Sequence, residues 1–414
     1  MTYKEIFSEI VSIMEKDSAT YPDYGAGEHE KYSKLITNDM ERSEFVHVVQ
    51  QYLSGFKVYA HVSFRDTTMK NTGFSVMRYE DKLYVTGANK DTGLIPGDKI
   101  TQVDGMTIPE IEKKEQVMLM GESLERQGML WPSIITFYHY LTVEHDDGTI
   151  EEVQLKRGTE SEQETDYHFR TYENGTLYLR FKDFVDADAI SKLFDDCKKE
   201  LDTCKNLIID VRGNGGGADL AYFPLFEYCF PNGEPVNKYV NIQYPVAINY
   251  SERNCNDRIK LIKSFFGDSI PEDVKPIADK MLSDLKSNFG KGLIEERDDT
   301  PLDMCGRTNP EKVWIITDEG CGSSGDSFVE AMSFSPKVTI VGRPTAGITD
   351  YSNVSMVDFD DFKLVYPTSR DTRIDHGKGL GQKGVPVDVY IPWNPDSIGK
   401  DVELEYVLKQ IAEH

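Results

Sequence analysis

The chain has 414 residues, 39% of them hydrophobic, with 46 basic and 71 acidic side chains and a formal net charge of −25. That hydrophobic share is ordinary for a globular protein and excludes a disordered, collagen-like or low-complexity chain, and the length suits two or three domains with real cores. So acidic a chain offers no basic surface to displace counterions from nucleic acid or to dock on anionic lipid, so neither partner is expected.

The amino terminus, MTYKEIFSEIVSIMEKD, has acids interrupting every apolar run and lacks the basic and apolar regions of a secretory signal. No stretch approaches the ~18 apolar residues of a membrane span. The six cysteines form neither a C-x-x-C pair nor a zinc-like spacing, which predicts free thiols, a cytoplasmic setting and no metal.

Residues 1–65 read as a helical segment: Phe7, Ile10, Val11 and Met14, then Phe45, Val48, Val49 and Leu53, recur at helical spacing. The segment ends on an expected strand, Tyr59-Ala60-His61-Val62-Ser63-Phe64. Residues 66–157 turn to short strands, GFSVMRY and KLYVTGA around Glu80-Asp81, then GLIPGDKITQVDGMTI at 93–108 and a strand pair around Asp146-Asp147-Gly148. A short helical stretch at 112–134 interrupts them, and the polar GTESEQETD at 158–166 reads as a linker. In 158–414, the strand TLYLRF (176–181), a helix at 187–201 and the apolar strand NLIIDV (206–211) come first. The strands KVWIITD (312–318), VTIVG (338–342), FKLVYP (362–367) and VPVDVYIP (385–392) follow. Strands alternating with helices predict α/β packing. Residues 236–310, charged and helix-prone, read as an insertion or lid.

Two strand-to-loop junctions stand out chemically. NLIIDV runs into Arg212-Gly213-Asn214-Gly215-Gly216-Gly217, where glycines leave backbone N–H groups unobstructed. The loop lacks the spacing of a phosphate cradle; an oxyanion hole or a simple tight turn are the readings open to it. The second junction, Gly320-Cys321-Gly322-Ser323-Ser324-Gly325-Asp326, enters a helix after a strand. A serine among small residues there exposes its hydroxyl and is followed by a backbone donor; it also suits a helix cap. Cys321 has no basic partner nearby in sequence to activate it.

Taken in order, NLIIDVRGNGGG, ITDEGCGSSGDSFVEAM and TIVGRPTAG resemble the carboxy-terminal processing (tail-specific) serine proteases, a family that includes the tricorn-core peptidases. GLIPGDKITQVDGMTI resembles the PDZ module of these proteases. The resemblance implies an α/β, crotonase-like catalytic core with an upstream PDZ-like module after an amino-terminal helical segment. It implies Ser323 as nucleophile, Ser324 as the N–H donor after it, and Gly215 and Gly216 as the other side of an oxyanion hole. Gly93, Leu94 and Ile95 would belong to the peptide-binding loop of the module. No cofactor is implied, and the partner is a polypeptide substrate, unfolded or flexible.

The processing proteases activate serine with a lysine in a V-G-x-P-T-x-G-K-G stretch, but Val341-Gly342-Arg343-Pro344-Thr345-Ala346-Gly347 continues with Ile348. Tricorn-like members use a histidine near the amino end, and His61 occupies that slot. Its imidazole has the right unperturbed pKa, near ~6.5. The family's glutamate aligns with Gly381, which leaves Asp350, Asp371 and Asp375 as acids to orient His61, with Asp350 preferred for its place just past the missing lysine. Ser63, on the expected face of the His61 strand, is a further hydroxyl. The loss of both lysine and glutamate also suits a degenerate peptide- or lipophile-binding relative, and a crotonase-type acyl-CoA enzyme would share the core but leave the PDZ-like segment idle.

Lys378 and Lys383 lie in HGKGLGQKG, a setting that keeps an amine solvated and protonated. An imidazole base therefore predicts that kcat/KM rises with pH through one limb near ~6–7. His61→Ala is expected to remove nearly all turnover, and Lys378→Ala and Lys383→Ala to keep most of it. A dead but folded lysine variant, or an active His61→Ala, contradicts this base.

Overall fold

The computed structural model describes residues 1–119, 123–156, 167–240, 244–266, 275–297, 302 and 304–413; the linker expected at 158–166 lies outside them. The chain divides into two compact units: residues 1–69, 242–299 and 350–379 form one, and residues 70–241, 300–349 and 380–414 the other. The range 158–414 is thus shared between both.

In the first unit the helix Tyr3–Lys16 starts at a capping box of Thr2 and Glu5 and buries Ile6, Phe7, Ile10, Ile13 and Met14. The helix Arg42–Ser54 buries Phe45, Val48, Val49, Tyr52 and Leu53, as its spacing predicts. An antiparallel sheet gathers distant segments onto one long strand, Phe362–Asp371. Tyr351–Phe359 pairs along its length, Ser63–Asp66 pairs with Phe362 to Val365, and Val246–Asn249 pairs with Ser369 to Asp371. Leu293–Glu296 continues the sheet beside Val246–Asn249. Between those two strands run the helices Glu252–Phe266 and Lys275–Ser287. The expected insertion at 236–310 is therefore corrected in part: its two strands are structural members of this sheet, whose ladder bonds outweigh their modest strand propensity.

Arg42 clasps Asp66 through Nε and Nη2 and also reaches Asp361 at 3.3 Å. This ties the helix to the strand Ser63–Asp66 and to the hairpin at Asp361.

In the second unit a six-stranded sheet runs in the order Val389–Tyr390, Val338–Gly342, Lys312–Thr317, Asn206–Asp210, Thr176–Phe181 and Tyr167–Tyr172. All neighbours are parallel except the last hairpin. Leu177, Leu179, Leu207, Ile209, Val313 and Ile315 face one core, where they meet Ile190, Leu193 and Leu201 of the helix Ala187–Thr203 and Phe328, Val329 and Met332 of the helix Ser324–Ser333. Tyr178, Ile208, Trp314 and Ile316 face the other, against Val407 of the helix Val402–Glu413. The period of two fixes both faces, and burial on both sides explains the unbroken apolar runs.

A second sheet of this unit comprises Phe74–Tyr79, Lys82–Ala88, Lys99–Val103, Tyr140–Glu144 and Ile150–Gln154, all antiparallel, with Met106–Thr107 beside Val103. It closes over Trp131, Ile134 and Ile135. The two-residue turn at Glu80-Asp81 falls where the sequence places it, with Glu80 at φ +54°. No helix among the described residues is long and apolar enough to cross a membrane, and none of their His, Cys, Asp and Glu side chains cluster as a metal site.

Burial alone would raise the Asp66 carboxyl, but Arg42 and Thr68 outweigh it and hold it at about 2. A value below the usual 3.8 means the pair stabilises the fold above about pH 4 and loses that contribution as pH falls toward 2. Asp66→Asn is expected to cost about 2 kcal/mol near neutral pH. Urea denaturation across pH checks it: the gap from wild type should close in strong acid, and a pH-independent gap contradicts the assignment.

Candidate active site

In the second unit, the loops after strands Asn206–Asp210 and Lys312–Thr317, neighbours in the parallel sheet, lie side by side. Asp318 Oδ1 accepts from Gly213 N–H at 2.7 Å and from Gly320 N–H at 3.0 Å, so one carboxylate pins both. Burial and the adjacent Glu319 raise Asp318 to about 6, against the pull of Arg343 and the Gly213 N–H. Gly322 N–H donates to Asn214 O at 2.9 Å, and buried Asn214 donates from Nδ2 to Phe181 O.

Gly216 is where the loops nearly touch. A methyl group there would sit 2.6 Å from Ser323 Cβ and 3.0 Å from Ser324 N, and its φ is +89°. Only glycine permits this approach. Ser324 Oγ donates to Gly217 O at 2.8 Å.

Ser323 precedes the helix Ser324–Ser333 with φ +58° and ψ −123°, a conformation that L-residues rarely adopt. What holds it there is Asp326. This wholly buried carboxylate accepts from Ser323 N–H at 2.9 Å, Gly347 N–H at 2.7 Å and Ile348 N–H at 2.9 Å. Burial pushes its pKa up, while Thr345 and the three N–H donors pull the other way. The same loop is held from outside by Arg126, on the short turn Glu125–Gln127, which donates to the carbonyls of Pro344, Thr345 and Ala346 at 3.2, 2.7 and 3.0 Å. Ile348 has an apolar side chain against the elbow, its Cδ1 3.1 Å from where a Gly322 methyl would stand. The arrangement thus places hydrocarbon beside Gly322 where the resembling proteases carry an amine.

Gly216 lies against Ser323 and Ser324, while the N–H groups of Gly215 and Gly216, the expected oxyanion donors, have acceptors of their own. Gly215 N–H donates to Lys182 O at 3.2 Å and Gly216 N–H to Asn214 Oδ1 at 2.9 Å. Among the described residues, the N–H groups of Ser324 and Gly217 are the ones at this junction without an acceptor. The first is an orphan of the helix start. Cys321 is fully buried and its thiol is pushed well above the usual value by desolvation, which suits packing and not nucleophilic chemistry.

His61 belongs to the first unit. It does not lie on a strand: Ala60, at φ +57°, turns the chain, and the strand begins at Ser63. Ser63 consequently shares no strand face with it and donates to Ala60 O at 3.3 Å. His61 is buried, with Nδ1 2.6 Å from Tyr351 O. A carbonyl only accepts, so Nδ1 carries a proton, and in the neutral ring the lone pair then lies on Nε2, the arrangement a general base needs. The acceptor at Nδ1 is thus a main-chain oxygen and not the expected Asp350, whose Oδ1 takes Arg373 Nε at 2.7 Å. Charge pairing accounts for the difference. Asp371 accepts from Arg373 N–H at 2.8 Å, and Asp375 pairs with Arg370. Lys378 and Lys383 are both exposed.

The turn Gly93-Leu94-Ile95, expected to bind peptide, makes hydrogen bonds of its own. Leu94 N–H donates to Thr92 Oγ1 at 3.2 Å and Ile95 N–H to Asp98 Oδ2 at 2.9 Å, so this turn is closed on itself. Leu94 is in the core and Ile95 is exposed.

Residues 175–391 match the model of peptidase family S41. The fold is similar to that of mature CPAF complexed with lactacystin, at 14% identity over 99% of this chain and 97% of that one, with a TM-score of 0.66. Mature CPAF alone gives 15% identity over 99% and 96%, with a TM-score of 0.64. The photosystem II D1 C-terminal processing protease gives 13% identity over 97% and 98%, with a TM-score of 0.42. No curated protein matches the chain in sequence.

The loop contact yields a direct test. A methyl at Gly215 meets nothing within 4 Å, so Gly215→Ala is expected to change stability by less than about 1 kcal/mol. Gly216→Ala must push Ser323 aside at a left-handed φ and is expected to cost about 2–4 kcal/mol. Chemical denaturation of both variants decides it; equal costs contradict the contact.

Proposed function

The chain belongs to peptidase family S41, whose members are serine-type peptidases acting on polypeptides, and on that premise we propose that Ser323 is its nucleophile and His61 its general base. The observation that carries this reading is the Ser323 backbone, held by Asp326 in a strained turn at the head of a helix. In the proposed reaction Ser323 Oγ attacks the scissile carbonyl and gives its proton to His61 Nε2. The imidazolium then passes that proton to the leaving amine, and water hydrolyses the acyl-enzyme by the same route in reverse. Tyr351 O keeps the imidazole in the required tautomer and faces the positive charge that develops on it.

Ser324 N–H supplies one oxyanion donor. The second comes from the glycine loop, either from Gly217 N–H or from Gly215 or Gly216 after exchange of their present acceptors. Ile348 in place of a lysine, and both nearby lysines in solvent, favour the histidine-dependent, tricorn-like branch of the family. The second unit is read as a crotonase-like core carrying most of a PDZ-like module expected at 66–157. The module's edge strands, Phe74–Tyr79 and Ile150–Gln154, suit addition of an extended peptide strand, and hence an unfolded or flexible substrate.

Ser323→Ala is expected to lower hydrolysis of unfolded casein by several orders of magnitude, while Ser324→Ala retains a substantial rate. The reverse pattern would move the nucleophile by one residue and overturn the assignment.

A further inference from the structure

Shielded arginines in this chain are nearly all matched to carboxylates. Arg212 meets Asp210, Asp401 and Glu403; Arg343 meets Glu319 and Glu403; Arg370 meets Asp23 and Asp375; Arg373 meets Asp350. Arg258 is different. It is half-buried on the helix Glu252–Phe266, and among the described residues its partner is a neutral carbonyl, Asn353 O, 3.2 Å from Nη2. Desolvation acts on its guanidinium and lowers its pKa, and no carboxylate among the described residues raises it. In a chain with 71 acidic side chains, a shielded guanidinium without a counter-charge retains an unmet demand for an anion.

Its position adds a second observation. Tyr351 O holds His61 and Asn353 O holds Arg258, so one strand carries both groups two residues apart. An extended peptide whose scissile carbonyl approached His61 would bring a group a few residues away within reach of Arg258. The planar fork of a guanidinium matches a carboxylate through two parallel hydrogen bonds. The strong negative charge of the whole chain would otherwise repel an acidic substrate, which makes a local cation the natural means of accepting one.

We propose that Arg258 is an anion-binding residue that captures a carboxylate of the polypeptide substrate, either its free chain end or an Asp or Glu side chain, near the base. The inference rests on the assignment of His61 made above for its placement, but not for the binding itself. Two pairs of short peptides distinguish the sources: one pair has a free or an amidated carboxyl terminus, the other an internal Glu or Gln. Calorimetric titration of the full chain carrying Ser323→Ala reads affinity without turnover.

The acidic member of one pair is expected to bind about tenfold tighter than its neutral partner. Arg258→Gln should erase that ratio and leave the affinity for the neutral peptide unchanged, which also reports an intact fold. Absence of discrimination in both pairs overturns the proposal, as does a ratio that survives Arg258→Gln. Should that variant fail to fold, Arg258→Lys decides: the ratio must fall because the ammonium loses the bidentate fork, and an unchanged ratio overturns the proposal. Hydrolysis of the neutral peptides by the wild-type chain tests the serine-peptidase assignment separately, so failure there leaves the binding result intact.

Discussion

The buried carboxylate of Asp326 is the interaction on which the candidate site depends. It gathers the N–H groups of Ser323, Gly347 and Ile348 onto one fully buried side chain. Ionised, a carboxylate so buried is costly; three backbone donors offset that cost and make its position unique. The strained Ser323 backbone persists because this network over-determines it. Removing the carboxylate would leave three donors unsatisfied and release the turn.

Around that centre the support is layered. Arg126 grips the carbonyls of the segment whose N–H groups Asp326 holds. Asp318 joins the glycine loop to the nucleophile loop, and Arg343 lies between Glu319 and Glu403 behind them. Three carboxylates, Asp318, Glu319 and Glu403, share the Arg343 guanidinium, so the burial that raises Asp318 is borne by a network and not by a single pair. The result is an elbow whose backbone is held from several sides at once.

Much of this was legible in the sequence because it is local. Thr176–Phe181 and Asn206–Asp210 announce themselves as short apolar runs bounded by turn residues, and the Ser323 loop as small residues between a strand and a helix. The parts that were not legible are non-local or made by the main chain. Val246–Asn249 and Leu293–Glu296 are four residues each, and their pairing with one another and with Phe362–Asp371 is set by partners far along the chain. The turn before Ser63 depends on a left-handed alanine, which no composition rule marks. A main-chain carbonyl as the acceptor for His61 has no side-chain signature at all, whereas Asp350, one residue away, carries one. Arg126 likewise binds main-chain carbonyls far along the chain, which carry no side-chain signature.

The central claim is that Ser323 is an activated nucleophile. Its most direct test is to treat the folded chain with a fluorophosphonate probe and locate the adduct by mass spectrometry. The account predicts a single adduct on Ser323, absent when the chain is unfolded before labelling. An adduct on another serine, or none on a folded chain that hydrolyses peptide, would contradict it.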